Sequence, residues 1–201
     1  MSELIRFDED LLETHGRLAG LDEAGRGALA GPVFVGCVSA GQPALSLEDL
    51  AGVNDSKQLT GKVRDELFSY LCENRGIEVG IGMARSGEID DLGINDATNL
   101  AATRALSAIK FRPDMVLLDR GLTPALDVST RSLKKGDEQS FHVAAASILA
   151  KVARDRYMWL KGEEFPEYGW SSNVGYGTED HRNAVKKLGR SPLHRKSYKI
   201  A

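Results

Sequence analysis

Leu18-Ala-Gly-Leu-Asp22 runs into a glycine turn, and Val33-Phe-Val-Gly-Cys-Val38 resumes directly after Gly31-Pro32. Two apolar runs with so short a link read as an antiparallel strand pair, so the chain opens with sheet. Beyond this pair, helices and strands alternate. Thr60 is an N-cap for a helix over 61–73 with Val63, Leu67, Tyr70 and Leu71 on one face, closed by Gly76. Residues 77–83 alternate as a strand, Asn95 or Asp96 caps an alanine-rich helix to about residue 110, and Arg112-Pro113 stops it. Met115-Val-Leu-Leu-Asp119 is an apolar strand ending in an acid, a weaker strand lies near 131–134, and helices are expected over 141–161 and 179–188. Strands first, then strands alternating with helices, give an α/β fold: a mixed β-sheet with helices packed against it, and a small helical segment at the C-terminal end.

At 201 residues with 42% hydrophobic and 27% charged side chains, the composition is that of a globular protein. No apolar run reaches the length of a membrane span. The N-terminus is acidic and amphipathic and does not read as a signal peptide, so a cytoplasmic location is expected. Cys37 and Cys72 are far apart and read as buried thiols, making neither a disulfide framework nor a zinc site. The net charge of −3 conceals an asymmetry: residues 151–201 hold eleven bases against six acids, and from His181 onward there are seven Lys/Arg and no acid. A basic end suits a phosphate-bearing partner, and equally a solvated tail.

Asp22, Glu23, Asp119 and Asp137 stand where strands end or helices begin. Carboxylates so placed can converge on hard divalent cations, although each also reads as a helix cap or loop residue, Asp137 above all. Neighbours on a regular strand face opposite ways, so Asp22 and Glu23 share a site only if the chain turns at Glu23. Gly25-Arg-Gly27-Ala-Leu-Ala30 also fits a dinucleotide-binding fingerprint, but that motif needs a helix beginning in the glycines, and here a proline and a β-branched run come next.

LDEAGRGALAGPV, VNDSKQLT, INDATNLAATRAL, MVLLD, KGD, AAASILAKVARDRYM, GYGT and LHRKSY closely resemble, in this order, the motifs of bacterial ribonuclease HII, over about residues 17–198. The resemblance implies a ribonuclease H-like fold in one domain over 1–201, with a catalytic core at about 17–162 and a basic helical appendage at about 163–201. It implies that Asp22, Glu23, Asp119 and Asp137 are the catalytic acids and hold two Mg²⁺ or Mn²⁺ ions. Paired cations suit an in-line displacement at phosphate, because they activate the water and stabilise the departing oxygen. Gly25, Arg26 and Gly27 match the element whose backbone contacts the ribose 2′-hydroxyl, the group that separates RNA from DNA. Tyr176 matches the tyrosine that packs on the sugar at the RNA-to-DNA junction. Ser56 and Lys57 match a backbone-phosphate contact. Lys151 and Arg154 share a helix face with Ser147 and are candidates for phosphate contacts or for holding the carboxylates. His142, His181 and His194 lack the company of other soft ligands and are not expected to bind metal.

The implied activity is an endoribonuclease acting on RNA–DNA hybrids and on duplex DNA containing ribonucleotides, in ribonucleotide and primer removal. A monomer without a membrane partner is expected, with any clamp or polymerase partner unspecified. Three features depart from the family pattern: Arg120 follows the third acid where glycine is common, the helix after Asn95 lacks a methionine, and residues 138–142 are more polar than usual. A type III enzyme of the same fold is expected to need an extra N-terminal domain, for which only about 17 residues are available here, and a glutamate in place of Asp137. A non-catalytic hybrid-binding module would not need all four acids, and a nicotinamide titration disposes of a dehydrogenase.

Overall fold

The computed structural model of the chain describes residues 3–41 and 60–200. Helix α1 (Glu3–His15) leads into β1 (Arg17–Ala24) and β2 (Val33–Gly41), then α2 (Gly61–Glu73), β3 (Ile77–Ala84), α3 (Ser86–Leu92), α4 (Ile94–Ser107), β4 (Met115–Asp119) and β5 (Ser129–Leu133). A single 3₁₀ turn, Gly136–Glu138, precedes the long α5 (Phe141–Glu164), and α6 (Trp170–Asn173) and α7 (Glu179–Leu188) complete the chain. The five strands form one mixed sheet in the order β3-β2-β1-β4-β5. β1 pairs antiparallel with β2 and parallel with β4, so both Asp22 and Asp119 reach the same end of the sheet.

Helices cover both faces. α5 and α2 pack on one through Leu71, Ile148, Leu149 and Val152, and α4 packs on the other through Ala97, Ala101 and Ala105. The alanines of these helices and the glycines of the strands answer one another. A Cβ on Gly36 would lie 2.2 Å from the Ala146 carbonyl oxygen, and one on Gly82 would lie 2.1 Å from that of Ala101. Backbone approach this close leaves no room for larger residues on either side.

Some local expectations need correction. The alanine-rich helix is capped by Gly93 rather than Asn95 or Asp96, and a separate short helix, α3, precedes it. Asn95 has a different task, accepting a 2.6 Å hydrogen bond from Arg26. Cys37 is a buried thiol as expected, but Cys72 is exposed, because α2 turns its neighbour Leu71 to the core instead. The acidic N-terminal segment is also structural. Asp8 of α1 is buried, accepts hydrogen bonds from Ser140 Oγ (3.1 Å) and the His142 amide (3.0 Å), and pairs with His142 Nδ1 at 2.7 Å. That docks α1 on the first turn of α5, beside Asp137.

The C-terminal segment packs back on α5 and on the loop between β1 and β2. Tyr168, Trp170 and Val185 form a cluster with Ala30 and Met158. The backbone of 193–195 pairs with 29–31, through Gly31 N–H to Leu193 C=O at 2.8 Å and Arg195 N–H to Leu29 C=O at 2.9 Å. Its histidines are buried and hydrogen-bonded. His181 Nδ1 donates to the Tyr176 carbonyl at 2.9 Å, and its Nε2 accepts from Trp170 Nε1 at 3.0 Å. His194 lies 3.0 Å away, and its Nδ1 accepts from the Ser191 amide at 2.9 Å. Both rings are neutral: burial lowers His181, and burial and then the neighbouring His181 push His194 down to about 4. Among the described residues no helix is long and apolar enough to cross a membrane.

Candidate active site

At the carboxyl ends of β1 and β4, Asp22, Glu23 and Asp119 each offer an oxygen, and these atoms all lie within 4.8 Å of one another. β1 stays regular to Ala24, so the turn expected at Glu23 falls two residues later, at Gly25. Asp22 and Glu23 nevertheless meet. The Asp22 carboxylate accepts the Glu23 amide at 2.7 Å, and each of the two side chains brings an oxygen into the cluster. Asp119, the last residue of β4, accepts the Gly136 amide at 2.7 Å, which ties the loop carrying the fourth acid to the third. Asp137 is not the cap of α5, a task that falls to Ser140. It is buried and faces a cavity of about 330 Å³ shared with Asp22, Glu23, Gly25, Ser147, Lys151 and Tyr176.

Unneutralised carboxylates this close repel. Burial, then Glu23 and Asp119, push the Asp22 carboxyl well above the usual carboxylate range, with Asp137 adding to the effect. Burial also raises Glu23, against the pull of Arg26, whose Nε lies 3.8 Å from Glu23 Oε1. Arg26 is itself held by Asn95 and by the Gly121 carbonyl at 3.4 Å, so its side chain braces an acid. Glu23 Oε2 is buried, and among the described residues it has no hydrogen-bond partner. Oxygen donors only, converging and with one of them orphaned, fit a hard divalent cation.

The glycines of Gly25-Arg-Gly27 differ in cause. Gly25 has φ +97°, and a Cβ there would lie 1.9 Å from Arg154 Nε. Its lack of a side chain is explained inside the protein. Among the described residues a Cβ on Gly27 meets nothing within 4 Å and its φ is ordinary, so none of them demands glycine there. Tyr176 lies half-buried across the cavity, with Lys151 Nζ 5.9 Å and Arg154 Cζ 5.2 Å from its ring centroid. Its loop is pinned to the glycine loop, since the Leu29 and Ala30 amides both donate to the Gly175 carbonyl (2.8 and 3.2 Å).

Arg154 departs from the expected phosphate-facing position. It is fully buried, and instead of holding the carboxylates it donates to the carbonyls of Pro32 (3.1 Å) and Ala30 (3.3 Å). Helical spacing put it on the Ser147–Lys151 face, but at Arg154 the 25–32 loop covers that face. Lys151 does reach the cavity, with its Nζ 2.9 Å from Asp155 Oδ1. Ser56 and Lys57 lie outside the described residues. Sequence reasoning missed Arg64, which lines the cavity from α2, and Arg195, whose only signal was its place in LHRKSY.

The family model of ribonuclease HII matches residues 19–201. The chain belongs to the ribonuclease HII family. It is a ribonuclease H enzyme, a hydrolase of the nuclease class. A ribonuclease HII of Clostridioides difficile (strain 630) is 44% identical over 181 residues, covering 90% of this chain and 69% of the relative. Ribonuclease H2 of Pyrococcus horikoshii OT3 superposes with TM-score 0.76 at 27% identity, over 92% of this chain and 95% of that one. Ribonuclease HII of Archaeoglobus fulgidus, solved in complex with PCNA, gives TM-score 0.75 at 25% identity, over 92% and 96%.

Proposed function

We propose that this ribonuclease HII family member hydrolyses the RNA strand of RNA–DNA hybrids and nicks duplex DNA on the 5′ side of embedded ribonucleotides, leaving 3′-hydroxyl and 5′-phosphate ends. The observation that carries this reading is one cavity in which a cluster of half-buried acids faces a glycine loop and an aromatic ring. In this reading hydrolytic machinery and a sugar-reading surface line one cavity.

In this reading Asp22, Glu23, Asp119 and Asp137 hold two Mg²⁺ or Mn²⁺ ions. When bound, such ions lower the pKa of the attacking water and stabilise the leaving 3′-oxygen. The chain's own residues do the rest. Asp119 is fixed by the Gly136 amide and Glu23 by Arg26, so two acids are oriented before substrate arrives. Gly27 supports a role in sugar recognition, because among the described residues nothing fills the room that its missing side chain leaves. Tyr176 offers a ring to the deoxyribose after the ribonucleotide, and Lys151 places positive charge beside the phosphate path. The biological role of such an activity is removal of misinserted ribonucleotides and RNA primers.

The test is a DNA duplex bearing one ribonucleotide, incubated with Mg²⁺, Mn²⁺ or EDTA, with the nick mapped at nucleotide resolution. A metal-dependent cut on the 5′ side of the ribonucleotide is expected. Comparable cutting of the all-deoxy duplex, or no cutting of either, would refute the reading.

A further inference from the structure

We propose that Arg195, with Tyr198, is a positioning residue that sets the sugar-reading face of the Gly25–Gly27 loop from the far end of the chain. This rests on the function proposed above and assigns a residue beyond it.

Arg195 is fully buried, and its hydrogen bonds go to carbonyls of one loop. Nη2 donates to Gly25 C=O at 2.7 Å, Nη1 to Arg26 C=O at 2.7 Å, and Nε to Gly31 C=O at 3.0 Å. The Tyr198 hydroxyl donates to the same Arg26 carbonyl at 2.6 Å, and the Arg195 guanidinium lies 5.0 Å from the Tyr198 ring centroid. Arg154 takes the carbonyls of Ala30 and Pro32 from the other side. Two buried guanidinium groups therefore turn five carbonyls of the 25–32 segment inward. Burying a cation is costly, and among the described residues Arg195 forms no ion pair with a carboxylate; its partners are these carbonyls.

Peptide geometry gives this a consequence. In a planar trans peptide, C=O and N–H point to opposite sides. Drawing the Gly25 and Arg26 carbonyls inward turns the Arg26 and Gly27 N–H groups the other way, and among the described residues neither amide donates to a backbone carbonyl. Gly27, exposed and unobstructed, lies on that outer side. Outward amides can donate to a 2′-hydroxyl oxygen and have nothing to meet on a deoxyribose. A guanidinium fork holds adjacent carbonyls at fixed spacing, whereas an ammonium group is a single point of attachment. Arg195→Lys thus keeps the charge and loses the geometry.

The test measures affinity in Ca²⁺, without turnover, for a duplex with one ribonucleotide and for the all-deoxy duplex. The full chain is compared with Arg195→Lys and Tyr198→Phe, and Mn²⁺ binding and thermal unfolding are followed alongside. Arg195→Lys is expected to narrow the preference for the ribonucleotide about tenfold, the scale of one or two hydrogen bonds, with Mn²⁺ binding and all-deoxy affinity unchanged. Tyr198→Phe, lacking one oxygen, should narrow it by a few-fold, and this decides the matter if Arg195→Lys does not fold. An undiminished preference in the folded variants overturns the inference and leaves the proposed function standing. A wild-type chain that neither prefers nor cuts the ribonucleotide duplex overturns the function itself.

Discussion

Gly25 and Gly27 flank one arginine, and alanine at each should fail for opposite reasons. At Gly25 the new Cβ would sit 1.9 Å from Arg154 Nε, 2.4 Å from Cδ and 2.8 Å from Cζ, at a φ of +97°. Arg154 cannot swing aside without leaving the Pro32 and Ala30 carbonyls. Overpacking contributes about 1–3 kcal/mol and left-handed backbone about 1–2 kcal/mol more, a loss of roughly 2–5 kcal/mol. For a chain of this size that lowers Tm by about 4–20 °C. At Gly27 the Cβ meets none of the described residues, so Tm should match the wild type or exceed it slightly, since alanine restricts the unfolded chain. The methyl group instead obstructs the sugar. If that contact costs about 1–3 kcal/mol, as overpacking does, kcat/KM on the single-ribonucleotide duplex falls about 5- to 150-fold. The assays are thermal unfolding by circular dichroism and steady-state cleavage. A Gly27→Ala enzyme with full activity, or a Gly25→Ala protein as stable as wild type, would show that the two glycines have been assigned the wrong causes.

Asp22→Asn and Asp119→Asn should each lower turnover by more than the roughly 10- to 100-fold typical of losing a supporting partner of a metal ligand, while hybrid binding persists; gel-shift and cleavage assays on the same preparations separate the two effects. Because burial and neighbouring acids raise the Asp22 pKa, the folded state holds its proton after the unfolded state has lost it. Metal-free stability therefore falls as pH rises from the ordinary carboxylate range through the raised value, and Asp22→Asn should melt higher than wild type at neutral pH in EDTA, with Mn²⁺ raising the wild type more; a lower-melting variant would contradict this. His194 behaves in the opposite sense: its folded pKa of about 4 lies below the unfolded 6.5, so stability should decline as pH falls from 6.5 to 4. Replacing it with glutamine should flatten that decline in pH-dependent melting, and an unchanged slope would place the titration elsewhere.

What the sequence alone determined is what local chemistry controls. The bounds of α2 and of β4 match expectation, because the capping Thr60 and an apolar run ending in an acid act within a few residues of themselves. The acids too were legible, since a charge at the end of a buried strand is conspicuous. Tertiary structure decided everything that depends on residues far apart in the chain. Arg154 looked like a surface cation by helical spacing, yet a loop more than a hundred residues earlier covers it. Asp8 looked like one more acid in an acidic, amphipathic N-terminus until His142 came to meet it. Arg195 lay in a stretch that read as a basic surface, and only folding brings its fork to the Gly25 and Arg26 carbonyls. Side-chain type and spacing report which groups a segment can offer. Whether a guanidinium ends in solvent or beneath a loop is set by which backbone packs over it, and that depends on the global sheet order, which no local pattern encodes.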